Sequence, residues 1–451
     1  MTPRRSLIGW LTAICLVASL AQPGSLLAQD DDSDDDEPSA QGDDEDDESD
    51  DDSDNDEDDE SDNDSGDDSD DDDGFDGPRP DQAIVNLREG VNPDTFARRH
   101  DAAVLRSIPG PNIVLLQLTP TLADEVEVEG LLEDADAEWV ELNFTHQSPE
   151  GRPRYFFISS TGEPRLVDNP ALPAGLDFTP AAACVTGAGI VVAVLDTGVD
   201  VSHPALVNSV LPNGENTVEH TFDVRDIGND FDDDADGQVD EMVGHGTHVA
   251  GIVLQVAPEA RILPVKVLNS DGVGDAFMVT AGIHYAVGQG VDVINLSLGS
   301  TYDSLAIRNG VEFAASQGVV VVAAAGNGDR QEPADYPAAT DLAMSVAATT
   351  AGADKATYSN FHGTVDISAP GNDVASTYPG GLYTTASGTS MATPIVAGSV
   401  ALMLDRQPDA NPDTIMAMLK VASGSLSLTD PLLEGLLGAG ELDIDASIAC
   451  G

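Results

Sequence analysis

Four segments rich in apolar residues, each about the length of one strand, constrain the fold of this chain most strongly. They lie at 189–195, 260–268, 291–298 and 319–325. Strands without polar alternation are typical of a parallel sheet that is covered on both faces. A helical segment at 276–288 separates two of them, and alternating strands and helices indicate a doubly wound sheet. We therefore predict an α/β fold with a mostly parallel sheet flanked by helices.

Two polar residues follow these apolar segments directly. Asp196 ends the first segment, and Asn327 follows the last one. The carboxyl ends of parallel strands are where α/β folds place their active sites. The plainer alternative for Asp196 is a helix or turn cap, and for Asn327 a turn residue.

A glycine-rich segment supplies a candidate base, His245, because an imidazole titrates near neutral pH. His245 and His248 also form an HxxH pair that could bind a metal, but the glutamate of the HExxH motif is missing. A candidate nucleophile, Ser390, precedes the apolar run 395–404, and we expect it at a helix N-terminus with Pro394 in the first turn. Backbone N–H groups there favour a developing oxyanion. The alternative is an ordinary loop-to-helix joint.

Four short motifs occur in a fixed order along the chain. They are Asp196-Thr197-Gly198, His245-Gly246-Thr247-His248, Ala325-Gly326-Asn327 and Gly388-Thr389-Ser390-Met391-Ala392. In this order they resemble the signature of the subtilisin-like serine proteases, or subtilases. The resemblance extends from about residue 191 to 446.

This resemblance implies a role for each catalytic candidate. Ser390 would attack the scissile carbonyl, and His245 would accept its proton and return it to the leaving amine. Asp196 would orient the imidazole, while Asn327 and the Ser390 backbone N–H would bind the oxyanion.

The resemblance also implies a substrate-binding edge. Ser297, Leu298 and Gly299 would pair with the substrate backbone as an added strand. Asp335 precedes Tyr336-Pro337, where the family has the floor of its S1 pocket and a cis peptide bond. We therefore expect Asp335 to favour Lys or Arg at P1.

The first residues of the chain have the pattern of a secretion signal, assigned to 1–29. Arg4 and Arg5 precede an apolar run, 7–20, that is short for a membrane span. We therefore expect a secreted protein, extracellular or periplasmic, that does not remain in the membrane. Residues 30–81 form an acidic tract that should be disordered, and about 31 of the 82 acidic residues lie between Asp30 and Asp76. So acidic a chain is not expected to bind nucleic acid.

Residues 82–145 predict a small β-α-β-β-α-β domain of ferredoxin-like type. In pattern and position it is similar to the inhibitory propeptide of subtilases, which would make it an intramolecular inhibitor. We interpret 146–169 as an exposed linker and 170–451 as the catalytic domain, and expect self-cleavage between about Phe144 and Ala174.

A second acidic cluster precedes the His245 motif. Asp232, Asp234, Asp236 and Asp240 alternate around a glycine, as in loops that turn several oxygens toward structural calcium. Position twelve counted from Asp232 is Val243, so an EF-hand loop is incomplete. The alternative is an acidic surface loop.

The cysteines left after signal removal are Cys184 and Cys450. An even pair in an oxidising compartment predicts a disulfide, and two unpaired buried thiols are the alternative.

These observations together favour a secreted serine endopeptidase, made as a self-processing zymogen and acting on proteins or peptides as a monomer. The alternative from another class is a catalytically silent, acidic calcium-binding protein on the same fold. A metallohydrolase that uses His245 and His248 lacks a third ligand nearby.

Overall fold

The structure is a computed structural model that describes residues 77–119, 124–149 and 184–448. The expected signal peptide, nearly all of the acidic tract, most of the expected linker and Cys450 lie outside the described residues. The described residues all belong to one compact unit, Ser69–Gly451.

The chain first forms a small antiparallel sheet with two helices. Its elements are β1 (Pro78–Leu87), α1 (Pro93–Arg99), β2 (Ala103–Ile108), β3 (Ile113–Gln117), α2 (Asp124–Leu132) and β4 (Ala137–Gln147). This is the order of elements that the sequence predicts. The strands lie in the order β2-β3-β1-β4, and the register pairs Val85 with both Val114 and Val140. The ferredoxin-like description stays a prediction.

Local capping explains where α1 begins. Asn92 is the N-cap, and its side chain accepts a hydrogen bond of 2.9 Å from the Thr95 backbone N–H. Pro93 occupies the first position, where a missing N–H costs nothing. Phe96 then points inward and is fully buried.

A seven-stranded sheet forms the second part of the structure. The remaining strands are β5 (Val191–Asp196), β6 (Glu215–Asn216), β7 (Arg261–Lys266), β8 (Val273–Asp275), β9 (Val293–Leu296), β10 (Val320–Ala324), β11 (Ala343–Thr349), β12 (Ile367–Pro370), β13 (Val374–Tyr378) and β14 (Leu382–Ala386). The large sheet has the order β12-β11-β10-β9-β5-β7-β6, and its neighbouring strands are parallel. The predicted mostly parallel sheet is thus confirmed.

Helices cover both faces of this sheet. They are α3 (His245–Val256), α4 (Ala276–Gly288), α5 (Leu305–Ser316), α6 (Thr389–Arg406), α7 (Pro412–Ala422) and α8 (Ile444–Ile448). One hydrophobic cluster includes residues of α3 and α6, and a second includes residues of α4 and α5. Alternate side chains of β5 enter opposite clusters, since Val194 belongs to the first and Leu195 to the second. The continuous apolar strands follow from this two-sided burial.

The approach of α6 to α3 depends on a residue without a side chain. A Cβ atom added to Gly398 would lie 2.7 Å from the Cβ of Val256, closer than two such atoms can pack. The glycine therefore permits the close spacing of the two helices that carry His245 and Ser390 in their first turns.

Candidate active site

The ends of β5 and α3 bring two of the predicted residues together. Asp196 is the last residue of β5, His245 is the first of α3, and both are fully buried. His245 Nδ1 lies 2.7 Å from Asp196 Oδ1. A carboxylate only accepts, so Nδ1 carries a proton, and in the neutral ring Nε2 is then the acceptor. This is the tautomer that a general base requires.

Ser390 lies in the first turn of α6, at the helix N-terminus that the sequence predicts. The prediction for Pro394 is wrong, because α6 begins at Thr389 and Pro394 therefore lies beyond the first turn. In a regular helix the N–H of residue 394 would bond to the Ser390 carbonyl. Pro394 has no N–H, and the Ser297 hydroxyl donates to that carbonyl instead, at 3.0 Å. The Ser390 hydroxyl in turn lies 3.4 Å from the Ser297 carbonyl oxygen.

Asn327 follows β10 and lies beside the start of α6. Its side-chain oxygen accepts hydrogen bonds from the backbone N–H and the hydroxyl of Thr389, both at 2.9 Å. These bonds fix the amide orientation and make its nitrogen the side that donates to a neighbouring group. The structure thus brings Asn327 next to the helix N-terminus that carries Ser390.

The end of β4 occupies the predicted substrate-binding edge. Gln147 and Gly299 exchange two backbone hydrogen bonds, of 3.2 and 2.9 Å. On the other side, the β4 residues Thr145 to Gln147 pair antiparallel with β8. The Ser148 N–H then donates to the Gly272 carbonyl at 2.9 Å. This segment therefore lies as a strand between β8 and Gly299.

The exposed linker expected from residue 146 onward is wrong at its start. His146 and Ser148 are fully buried, and Gln147 is nearly so. The reason is non-local, because the backbone partners on β8 and at Gly299 are more than a hundred residues away in sequence.

Ser148 also contacts the candidate base. Its hydroxyl oxygen lies 3.4 Å from His245 Nε2, the nitrogen that would accept a proton in catalysis. Sequence reasoning missed this residue, since a serine in a Pro- and Gly-containing segment carries no signal of such a contact.

Two further residues of β4 cap helices of the large sheet, and sequence reasoning missed both. The Glu141 carboxylate accepts from the Ser304 hydroxyl at 2.7 Å and from the N–H groups of Leu305 and Ala306 at 2.7 and 2.9 Å, at the start of α5. The Asn143 side chain accepts from the Phe277 N–H of α4 at 3.1 Å. Burial raises the pKa of Glu141, and these hydrogen bonds act in the opposite direction. Glu141 and Asn143 are alternate residues of one strand and so lie on the same face of it. The sequence alone does not show that the starts of two helices lie opposite that face.

Asp335, the candidate S1 residue, is buried and already paired. Its carboxylate accepts from Arg330 at 2.8 Å and from the Asn360 side-chain amide. Both partners belong, like Asp335 itself, to the part of the chain that forms the seven-stranded sheet. The bond between Tyr336 and Pro337 is cis, as the resemblance implies.

The acidic loop brings together three of its four candidate ligands. Carboxylate oxygens of Asp232, Asp234 and Asp236 all lie within 4.8 Å of one another. Burial, with the Asp236 and Asp271 charges nearby, raises the pKa of Asp234 to about 6. Asp240 is used differently, because its carboxylate accepts from the N–H groups of Asn229 and Asp230 at 2.7 and 3.0 Å.

Cys184 forms a disulfide. Cys450 lies outside the described residues, so its pairing with Cys184 stays a prediction. Among the described residues, no helix is both long enough and apolar enough for a membrane crossing.

Comparison with known proteins places these features in a family. Residues 187–440 match the subtilase family, peptidase S8. Subtilisin BL from Lederbergia lenta is 40% identical over 264 residues, which cover 56% of this chain and 91% of that protein. Thermitase from Thermoactinomyces vulgaris is 40% identical over 235 residues, covering 50% of this chain and 78% of that protein.

Solved structures agree with this assignment. Fervidolysin from Fervidobacterium pennivorans, a keratinolytic enzyme related to subtilisin, shares the fold with a TM-score of 0.67 at 22% identity, over 83% of this chain and 61% of its own. A protease from Pseudoalteromonas arctica gives a TM-score of 0.56 at 32% identity, over 61% and 94% of the two chains. The chain belongs to the subtilase family and is a subtilisin-like serine protease.

Proposed function

We propose that this chain is the zymogen of a secreted serine endopeptidase that processes itself and then hydrolyses proteins or peptides. The observation that carries the proposal is the β4 end, which lies between β8 and Gly299 and reaches the His245–Asp196 pair. An extended segment in this edge is held as a peptide substrate would be, by main-chain hydrogen bonds on both sides.

The proposed reaction uses Ser390, His245 and Asp196 as a triad. His245 Nε2 takes the proton of the Ser390 hydroxyl as the oxygen attacks the scissile carbonyl, and Asp196 stabilises the imidazolium through the 2.7 Å hydrogen bond. His245 then gives the proton to the leaving amine. Water hydrolyses the acyl-enzyme by the same path in reverse.

Asn327 and the Ser390 backbone N–H are the proposed oxyanion donors. The two bonds from Thr389 hold the Asn327 amide in one orientation before the charge develops. A donor that is already oriented needs no reorganisation during the reaction, which is the source of its catalytic value.

The assignment of Ser390 must be distinguished from one competitor, Ser148, whose hydroxyl is 3.4 Å from His245 Nε2. Ser148 lies outside the family match at 187–440, whereas Ser390 lies inside it. Ser390 is also at a helix N-terminus, beside Asn327, where oxyanion donors are available. These observations favour Ser390 as nucleophile and Ser148 as part of the bound segment.

The test is the intact mass of purified full-length protein after incubation, compared between wild type, Ser390→Ala and Ser148→Ala. We expect wild type and Ser148→Ala to be cut within a few residues after Ser148, and Ser390→Ala to stay whole. Self-cleavage of pure Ser390→Ala protein would refute the proposal.

The position of the β4 end also supports the proposal that residues before the cut act as an intramolecular inhibitor. They fill the substrate-binding edge and cap α4 and α5. Secretion through residues 1–29 and a monomeric state are part of the same proposal. Export of the full chain, with the N-terminal sequence of the exported form beginning after residue 21 or 28, would support the secretion step.

We also propose that Asp232, Asp234 and Asp236 hold a structural calcium ion. Three carboxylates within 4.8 Å of one another repel each other, and hard oxygen ligands of this kind suit Ca²⁺. The carboxylates of Asp271 and Glu241 lie close to this loop.

A preference of Asp335 for Lys or Arg at P1 remains a proposal, and its pairing with Arg330 argues for a weak effect. Equal cleavage rates for peptides with Arg and Phe at P1 would exclude it.

A catalytically silent calcium-binding protein is not favoured, because the similar proteins are named as subtilisins and proteases and the Asp196–His245 pair is intact. Inhibition by a serine-directed phosphonylating reagent but not by a chelator of transition metals would exclude both this alternative and a metallohydrolase.

A further inference from the structure

A buried carboxylate lies directly behind the Asp196–His245 pair. Asp226 is only 2% exposed and precedes the acidic loop. It accepts four hydrogen bonds, from the Thr197 hydroxyl at 3.1 Å, the Gly244 N–H at 3.0 Å, the Thr247 N–H at 3.0 Å and the Thr247 hydroxyl at 2.6 Å. Burying a charge costs free energy unless hydrogen-bond donors surround it. The residues that donate to Asp226 therefore indicate what it positions.

The direction of each hydroxyl proton is fixed by a second bond. The Thr197 hydroxyl accepts from the Gly246 N–H at 3.0 Å, and the Thr247 hydroxyl accepts from the Asp200 N–H at 2.9 Å. Each hydroxyl therefore has its own hydrogen available for Asp226. All four contacts are donors to Asp226 and therefore favour an ionised carboxylate. Burial raises the pKa of Asp226, and the hydrogen bonds from Gly244 and Thr247 and the charge of Lys266 act in the opposite direction.

These donors come from the two segments that carry the catalytic pair. Thr197 is the residue after Asp196, and its N–H bonds to Asp196 Oδ1 at 2.7 Å. Gly244 and Thr247 lie on either side of His245 in the first turn of α3. A negative charge at a helix N-terminus is also favourable by itself. Asp226 thus joins the end of β5 to the start of α3.

A cation balances this charge from the neighbouring strand. Lys266 on β7 is 4% exposed, and its Nζ atom donates to the Thr197 carbonyl at 2.5 Å. Lys266 therefore contacts the same residue, Thr197, that donates to Asp226.

We infer that Asp226 is a positioning residue for catalysis, which holds His245 and Asp196 in register through Thr197 and the first turn of α3. The inference rests on the proposed triad roles of those two residues. Asp226 touches neither substrate nor reacting atoms, and it acts by fixing the 2.7 Å hydrogen bond that sets the imidazole orientation.

Asp226→Asn is the direct test, made in the full chain and measured on the matured enzyme. Whichever way the amide is turned, its NH₂ group faces two donors. We expect kcat per active site, counted by titration with a phosphonylating reagent, to fall on the order of 10- to 100-fold, because small misplacement of catalytic groups has effects of that size. KM should change little.

The pH profile gives a readout that a purely structural role would not move. The charges that face this site are Asp196 on β5, Lys266 on β7, and Glu219 and Asp223 in the preceding loop. Removal of the Asp226 charge disfavours the imidazolium, so the acid limb of kcat/KM should move to lower pH.

Thr247→Val keeps the shape of the side chain and removes the hydroxyl that donates to Asp226 and accepts from the Asp200 N–H, so it remains informative if Asp226→Asn fails to fold. We expect a smaller loss of kcat, and Thr247→Ser should recover most of it. Asp341→Asn is the matched control, because Asp341 is an exposed acid between β10 and β11, outside the charged groups around Asp226.

Wild-type kcat and pH profile in Thr247→Val, and in Asp226→Asn if it folds, would overturn the inference. His245→Ala, measured alongside, separates failure of this inference from failure of the proposed triad. Full activity in His245→Ala would mean that the triad assignment is wrong.

Discussion

His146 shows how the burial of one side chain can make a whole interface depend on pH. It is the second-to-last residue of β4 and is fully buried, and burial lowers its pKa from 6.5 to about 4. Its Nδ1 atom lies 3.3 Å from the Phe144 carbonyl, and its Nε2 atom has no hydrogen-bond partner among the described residues. The docked segment therefore favours the neutral ring.

We expect the cleaved N-terminal fragment to bind more weakly as the pH falls from about 6.5 toward 4. A free His146 takes up a proton near its ordinary pKa, and the docked one does so only near pH 4. Protonation thus favours release, by roughly 20-fold between pH 7 and pH 5. The measurement is the fraction of fragment that remains bound to processed enzyme at each pH.

His146→Gln is the control for this prediction, because its amide does not titrate. It should remove the part of the pH dependence that arises from His146. The part that arises from Glu141 and from His220, whose Nδ1 lies 3.2 Å from the guanidinium of Arg106 on β2, should remain. An unchanged pH dependence in His146→Gln would contradict the prediction.

Asn327 allows a second prediction about a single side chain. Asn327→Ala should lower kcat about 10²–10³-fold with little change in KM, the loss seen when such a donor is removed from subtilisin itself. Steady-state kinetics of the matured variant test this. A change in KM alone would assign Asn327 to substrate binding.

Several side chains could be assigned from sequence because their neighbours in the chain define their place. Asp196 ends a strand, and Ser390 starts a helix. Glu141 and Asp226 could not be assigned in this way, since their partners are brought in by other elements. Glu141 meets Ser304 across 163 residues, and Asp226 meets Thr247 across 21.

At the scale of elements, α4 and α5 begin with caps that are partly supplied by β4. A helix N-terminus has unsatisfied N–H groups, and Glu141 satisfies two of them in α5 in addition to the helix's own cap, Ser304. The docking of β4 therefore stabilises the helices on which it lies.

Glu141→Ala should weaken the binding of the cleaved fragment by about 5- to 30-fold, since the loss of a helix cap costs about 1–2 kcal/mol. The measurement is inhibition of the matured enzyme by the fragment. Glu138→Ala is the matched control on the same strand, because Glu138 is exposed and bonds only to Asn86 in the described structure. Equal affinities of the two variants would argue against a capping role.

The sequence predicts the central strands and α4 well, because the apolar runs and the helical segment at 276–288 are local signals. It does not predict β11, whose small residues Ala343 to Thr349 form no marked apolar run. It also places the start of α6 too late, because that start is fixed by the contact between Thr389 and Asn327 of another strand. Both differences come from pairing between distant segments.

At the scale of the whole molecule, calcium binding by the acidic loop would contribute to the stability of the folded protein. Asp271 accepts from the N–H groups of Asp233 and Asp240, both at 2.5 Å, and is followed by Gly272, which binds the β4 segment. Loss of a cation from this loop should therefore affect both folding and the substrate-binding edge.

We expect removal of calcium by a chelator to lower Tm, and added calcium to restore it, because a ligand that binds only the folded state stabilises it. Asp234→Asn should reduce this calcium-dependent change in Tm, while Asp223→Asn should not, because Asp223 precedes the acidic loop and pairs with Arg225. A Tm independent of calcium in the wild-type protein would exclude the proposed ion.

One strand, β4, belongs to the small sheet through β1 and to the protease through β8. The amide hydrogens of Gln147, Ser148 and Gly299 are consequently shielded by pairing between the two parts. While the parts stay together, deuterium can replace these hydrogens only as fast as the strand detaches. Hydrogen exchange at these amides in Ser390→Ala protein would thus report how readily the inhibited state opens, without any substrate.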